Sequence, residues 1–363
     1  MSMFHELMMR KKEEIMYATI KGSLTENDGV FSGFSTSNYL KTQQVFSPQD
    51  KSWEMVFRFT INSVSGDKSI VSLAGNNAFS LFQNNSAIQV FISSNGTSWN
   101  IVNSIIFYAT ANTTYTVKIK FTGNEYIIYS LENNEWVVKE TVSSSAQIYG
   151  GLPFAFGVAR TYANPFSGSI DLNNSYIKLG STKYNLQAVV GYTIVGRPTI
   201  TDGVASGFSA SDYLTFPTIL SKYSSDDINR VEMGIKITTG NSVGLSGLIV
   251  NSNYYYNGLL IGGNTKPSFY FNLGGVDNAV SDVVLQPNTE YTIIGILDKK
   301  TNSIKISVNG IVNTNTANYF TFSNNQATGI GYGYRTGAFE GSIDLKSTYI
   351  KVNNKLYFNG QQA

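Results

Sequence analysis

A long internal repeat limits, more than any other feature, what this chain can fold into. ATIKGSLTENDGVFSGFSTSNYL, at residues 18–40, recurs as YTIVGRPTITDGVASGFSASDYL, at residues 192–214, with 14 of 23 positions identical and no gap. FSGSIDLNNSYIKL (166–179) recurs as FEGSIDLKSTYIKV (339–352), and NTTYT (112–116) as NTEYT (288–292). Stacked solenoid repeats run to only about 20–50 residues, so a period this long denotes a duplicated domain. The chain therefore divides into a leader at residues 1–16, a first copy at 17–188 and a second at 189–363.

Each copy carries the period of a β-strand. In SWEMVFRF, Trp53, Met55, Phe57 and Phe59 alternate with Glu54, Val56 and Arg58, and RVEMGIKI repeats the pattern through Met233, Ile235 and Ile237. Alternation of this kind buries one face and wets the other. Turn residues separate the runs. Asn95-Gly96, Asn309-Gly310, Asp28-Gly29 and Asp202-Gly203 are pairs that tolerate positive φ and so suit two-residue hairpins, and Asn133-Asn134 has the look of a hairpin tip. Many short antiparallel strands in about 170 residues predict an all-β fold of two tandem jelly-roll sandwiches.

Composition removes several kinds of chemistry. The 363 residues include no cysteine and a single histidine, His5, in the leader. Disulfides, thiolate nucleophiles, zinc sites and His-dependent triads have no basis inside the repeats. A formal net charge of +2 is no footprint for nucleic acid, and no apolar run is long enough to cross a bilayer as a helix.

DGVxSGFSxSxYL, NTxYT and GSIDLxxxYIK, present in both copies, resemble the concanavalin A-like, laminin-G-like lectin/glucanase fold. More narrowly, the tandem arrangement is similar to fibre and other surface proteins of gut bacteriophages. The resemblance implies a virion structural protein: a short head fibre or capsid decoration, or else a tail-fibre or baseplate component. It implies a place at the virion surface, with capsid, portal, tail or further fibre proteins as partners. It also implies homo-oligomerisation, since fibres are usually symmetric, and adhesion to host or mucosal glycans. A stand-alone bacterial lectin or adhesin is the alternative.

The residues give little support for catalysis. Glycosidases need two carboxylates about 5–10 Å apart, and the related glucanases carry theirs close together on one strand, which no ExDxE cluster here reproduces. Glu132 and Glu135 flank a hairpin tip, and Asp171 and Asp344 alternate with Ile170, Leu172, Ile343 and Leu345 on a strand face. No catalytic residue, metal ligand or cofactor is expected. Sugar binding asks for less: an aromatic ring to stack on a pyranose and a few polar groups for its hydroxyls. The candidates are Trp99, the cluster Tyr254, Tyr255 and Tyr256, and Tyr332, Tyr334 and Arg335 in GYGYRTG.

The leader MSMFHELMMRKKEEIM differs from everything after it. Phe4, Leu7, Met8, Lys11 and Ile15 follow roughly helical spacing, which predicts a short amphipathic helix with Met3, Phe4, Leu7, Met8 and Ile15 as its anchoring residues. A helix of about three turns is marginal alone in water, so it is expected to dock into a groove on a partner protein. Membrane insertion is not expected.

Overall fold

The computed structural model describes residues 13–48, 52–217, 219, 223–224, 226–251, 257–271, 277–317, 327–333 and 336–362. The chain separates into two compact units, Met1–Ala188 and Val189–Ala363. Among the described residues there is no α-helix, and each unit is a two-sheet, mainly antiparallel sandwich, with residues 190–192 of unit 2 pairing in parallel with Lys355–Gln362.

The first sheet of unit 1 runs through Glu135–Ser143, Glu125–Glu132, Thr113–Phe121, Trp53–Ile61 and Gly168–Leu179. The far side of Gly168–Leu179 is shared between Val30–Ser32 and residues 182–185. The second sheet runs through Val102–Tyr108, Ala87–Gly96, Asn77–Asn84, Asp67–Leu73, Leu152–Phe156, Tyr39–Phe46 and Glu13–Lys21. Unit 2 repeats this order. Its first sheet is Ile311–Thr316, Ser303–Val308, Glu290–Asp298, Arg230–Thr239 and Gly341–Val352. Its second is Asp277–Val280, Pro267–Phe271, Asn257–Ile261, Ser246–Asn251, Thr328–Ile330, Tyr213–Phe216 and residues 193–195.

The alternating residues meet between the sheets. Met55, Phe57 and Phe59 from one sheet, and Phe79, Leu81, Phe154 and Phe156 from the other, are all buried. Phe57 lies 6.1 Å from both Phe79 and Phe154, ring centre to ring centre. Burying each such ring contributes about 1.5–3 kcal/mol, so the alternation itself is the driving force for the sandwich.

The two repeated motifs have structural explanations. In SGF, the Phe34 ring lies directly over Gly157, and Phe208 lies over Gly331. Both glycines have φ of +79°, and a side chain at either would overlap the ring. In GSIDL the strand bulges: Asp171 faces Arg58 and Tyr176 faces Val56, so four residues oppose Phe57 alone. Ser175 Oγ spans the gap by donating to the Asp171 carbonyl (2.6 Å) and accepting from Arg58 N–H (3.0 Å). The Asp171 carboxylate accepts from Asn174 N–H (3.1 Å) and Asn174 Nδ2 (2.7 Å). Unit 2 builds the same bulge with Asp344, Lys346 N–H, Ser347 and Thr348. The aspartates are bulge caps, and the motif is a device for bending a long strand.

On the outer face of the first sheet, Tyr176 donates to Glu54 (2.5 Å), and Tyr349 to Glu232 (2.9 Å). Burial, reinforced by the adjacent carboxylate, pushes both phenols above their usual range. Glu232 also accepts from Arg230 (2.9 Å) and Lys351 (3.1 Å). Burial alone would raise its carboxyl, but these three donors outweigh burial and hold it below the ordinary carboxylate range.

The leader reading needs correction at its end. Residues 13–16 open the strand Glu13–Lys21 and are not helical. Ile15 is 44% exposed while Met16 is 2% exposed, and Ala18 is buried again. That is the two-residue period of a strand feeding the core, and pairing of residues 18–21 with Tyr39–Phe46 fixes it. Ile15 therefore belongs to no helical contact face. Met3, Phe4, Leu7 and Met8 lie outside the described residues.

Candidate functional site

Of the aromatic candidates, Trp99 is the one the described structure sets in a pocket. The route to that position departs from the hairpin expected at Asn95-Gly96. The last register pair is Ile92 with Val102, so the connection is wide and Asn95-Gly96 is not its tip. Asn95 Oδ1 accepts from the backbone N–H of Thr97 (2.9 Å) and Ser98 (3.0 Å) and from the Thr97 hydroxyl (3.1 Å). One side chain thus organises the turn, as Asx geometry allows. Asn100 closes the far side by accepting from Ser94 N–H (3.0 Å) and donating to Ser94 Oγ (2.9 Å). Trp99, one residue before Asn100, is held half-buried over the second sheet.

Beneath it, the outward positions of two adjacent strands supply the floor. Ser80 faces Phe91 across the register, and Phe82 stands two residues from Ser80 on the same side. The neighbours Phe79, Leu81, Val90 and Ile92 point to the core. The indole of Trp99 lies 5.3 Å from the Phe91 ring, and Phe91 lies 6.2 Å from Phe82. The opposite wall comes from the segment after Leu152–Phe156. That segment is tied down by Ala159 N–H to the Ala163 carbonyl (2.8 Å), Tyr162 N–H to the Ala159 carbonyl (2.7 Å) and Ser69 N–H to the Asn164 carbonyl (2.9 Å). It presents Arg160, Thr161 and Asn164 to the cavity, and the Arg160 guanidinium sits 5.7 Å from the centre of the Trp99 ring.

The pocket, open to solvent on one side, has a volume of about 310 Å³. This is the low end of the ~300–1,000 Å³ of small-ligand sites. An aromatic floor, a cationic fork, a hydroxyl and an amide converge on it, and no carboxylate lines it. A fold built for packing has no need of such a collection on its outer face. Arg160, Phe82 and Phe91 were not among the sequence candidates. Only the strand register shows Phe82 and Phe91 on the outward side of the sheet.

Among the described residues, unit 2 does not repeat the aromatic floor. Register places Gly258, Leu260 and Tyr270 where Ser80, Phe82 and Phe91 stand, and Leu260 is buried. Tyr332 is half-buried, 5.4 Å from the Tyr213 ring, in a two-stranded ribbon with Gly337–Ala338. Its ring thus covers a neighbour. A pocket of about 100 Å³ in unit 2 lies elsewhere, lined in part by Glu340. Tyr254, Tyr255, Tyr256, Tyr334 and Arg335 lie outside the described residues. No group of three or more His, Cys, Asp or Glu among the described residues is placed to hold a metal ion.

No protein-family model matches the chain, and no curated protein sequence matches it. Solved structures do align with it. Domains LG4-5 of the mouse laminin alpha1 chain share 14% identity over 96% of this chain and 94% of theirs, with a TM-score of 0.35. The binding domain of botulinum neurotoxin DC in complex with SialylT shares 12% over 90% and 89%, with a TM-score of 0.35. The Ruminococcus gnavus IT-sialidase CBM40 bound to alpha2,3 sialyllactose shares 15% over 36% and 76%, with a TM-score of 0.28. Identities and scores this low carry no information about function.

Proposed function

We propose that the chain is a carbohydrate-binding, lectin-like protein whose binding site is the Trp99 pocket of unit 1. One observation carries the reading: an indole, an arginine, a threonine and an asparagine converge on a cavity of small-ligand size on the outside of a finished core. Aromatic side chains pack against the apolar face of a sugar ring, and Thr161 and Asn164 are suited to its hydroxyls. With no carboxylate on the lining, the pocket supports binding in preference to glycosidic cleavage. A glycan array probed with the full chain and with Trp99→Ala tests this. Binding weakened at least about tenfold in the variant is expected; equal binding by both proteins would remove the pocket from the function.

The setting we propose is a bacteriophage surface appendage used for adhesion, attached to other virion proteins through the residues before Glu13. The likeness of the DGVxSGFSxSxYL, NTxYT and GSIDL motifs to fibre domains of gut bacteriophages supports it. Antibody labelling of purified particles tests it, and particles that never carry the chain would favour the stand-alone lectin.

A further inference from the structure

We infer that the Trp99 pocket selects a sugar residue bearing one anionic group, a carboxylate or a sulfate ester, which Arg160 receives. The inference rests on the sugar-binding reading above and narrows it to a chemical class.

Arg160 is unlike the arginines that serve the fold. Arg58 pairs with Asp171 (3.5 Å), and Arg230 pairs with Glu232 (2.9 Å) and Asp298 (3.1 Å). Among the described residues, the Arg160 side chain makes no hydrogen bond and no ion pair; its recorded contact is with the face of Trp99. The backbone around it is nonetheless fixed, since its carbonyl accepts from Gly75 N–H (3.0 Å) and its neighbours are tied as described. The guanidinium is thus half-buried, positioned by stacking, and has all five of its donors uncommitted.

A cationic fork set against an aromatic wall in a cavity without carboxylates creates a one-sign field with no internal counter-charge. A neutral sugar would leave that charge uncompensated while displacing its water. A carboxylate or sulfate on the sugar would take two parallel N–H donors from the fork, while Trp99 and Phe91 cover the ring's apolar face. The surroundings favour one charge over several, because Arg160 is the single cation lining the pocket. A polyanionic chain such as a heavily sulfated polymer would find no second cation there.

The test is calorimetric titration of the full chain with trisaccharides that share one neutral core. They would end in galactose, glucuronic acid, N-acetylneuraminic acid or 6-sulfogalactose. The wild type is expected to bind at least one acidic member about ten- to a hundredfold more tightly than the galactose form, with the preference falling as salt rises. Which acidic member binds separates carboxylate from sulfate. Arg160→Gln should abolish the preference while leaving weak galactose binding. Arg160→Lys should keep part of the preference, since it retains the charge without the planar fork. Trp99→Ala should weaken all members together, and unchanged thermal unfolding midpoints would show that the variants are folded. Equal affinity for acidic and neutral members, still dependent on Trp99, would overturn this inference and leave the sugar reading intact. No binding of any member would overturn both.

Discussion

Ser175 and Ser69 make the sharpest test of how unit 1 is held together. Both hydroxyls are buried, at 2% and 0% exposure, and both sit on strands of the same sandwich. Removing one oxygen from either is the same chemical change. Their partners differ. Ser175 Oγ bridges the bulge between the Asp171 carbonyl and Arg58 N–H, whereas Ser69 Oγ has no partner among the described residues. Ser175→Ala strands two backbone groups, each costing about 1–3 kcal/mol when buried. Arg58 is half-exposed, so water can reach part of that site, and about 2–4 kcal/mol in total is expected. Ser69→Ala removes a hydroxyl that was desolvated without return, so the change should be neutral or stabilising by up to about 1 kcal/mol. All three tryptophans, Trp53, Trp99 and Trp136, lie in unit 1, so their fluorescence during urea unfolding reports that unit alone. With a slope of about 2 kcal/mol/M, the Ser175→Ala midpoint should fall by about 1–2 M while that of Ser69→Ala stays or rises. Equal shifts in the two variants would refute the assignment of the bulge to the Ser175 bridge.

Gly157→Ala should destabilise unit 1 by about 2–4 kcal/mol in the same assay, since it strains a positive φ and drives a methyl into the Phe34 ring. Gly331→Ala, against Phe208, should leave the tryptophan-reported transition in place. Deleting residues 1–16 removes buried Met16 and should destabilise unit 1 by about 2–5 kcal/mol more than deleting residues 1–12 alone. Glu232 carries a pH signature. Its folded carboxyl titrates below the unfolded one, so its stabilisation is complete above the ordinary range near pH ~4.3 and is lost as pH falls through the depressed folded value. Hydrogen-exchange protection factors in Arg230–Thr239, which remove the intrinsic slowing of amide exchange in acid, should therefore fall on acidification to about pH 3 in the wild type, and less so in Glu232→Gln, which is already weakened at neutral pH.

The all-β architecture was legible because local chemistry dictates it. The period-two runs through Trp53–Phe59 and Val231–Ile237 bury one face wherever they are placed, and Asn133-Asn134, Asn309-Gly310 and Asp28-Gly29 adopt the positive φ that two-residue turns need. The leader was misread at Glu13–Met16 because a short segment with helical spacing also alternates, and only the partner strand Tyr39–Phe46 decides between the two periods. Asn95-Gly96 was misread for a related reason. Its side chain organises a wide loop through Asx hydrogen bonds that depend on where the next strand re-enters.

The candidate site divides along the same line. Trp99 could be singled out from its neighbours NGTSWN, since a tryptophan among turn residues is hard to bury. Its companions could not be. Phe82 and Phe91 are outward-facing only because the strand register makes them so, and Arg160 reaches them from a segment some 60 residues beyond Trp99 in the chain. Sequence by itself determined the alternating strands of the sandwiches and the turns at Asn133-Asn134, Asn309-Gly310 and Asp28-Gly29, because those follow from side-chain period and backbone φ within a few residues, whereas the bulge in GSIDL depends on the distant Arg58 backbone. Only the tertiary structure decided which aromatic rings meet a free guanidinium, because a pocket is a property of distant segments converging, and no local rule records that convergence.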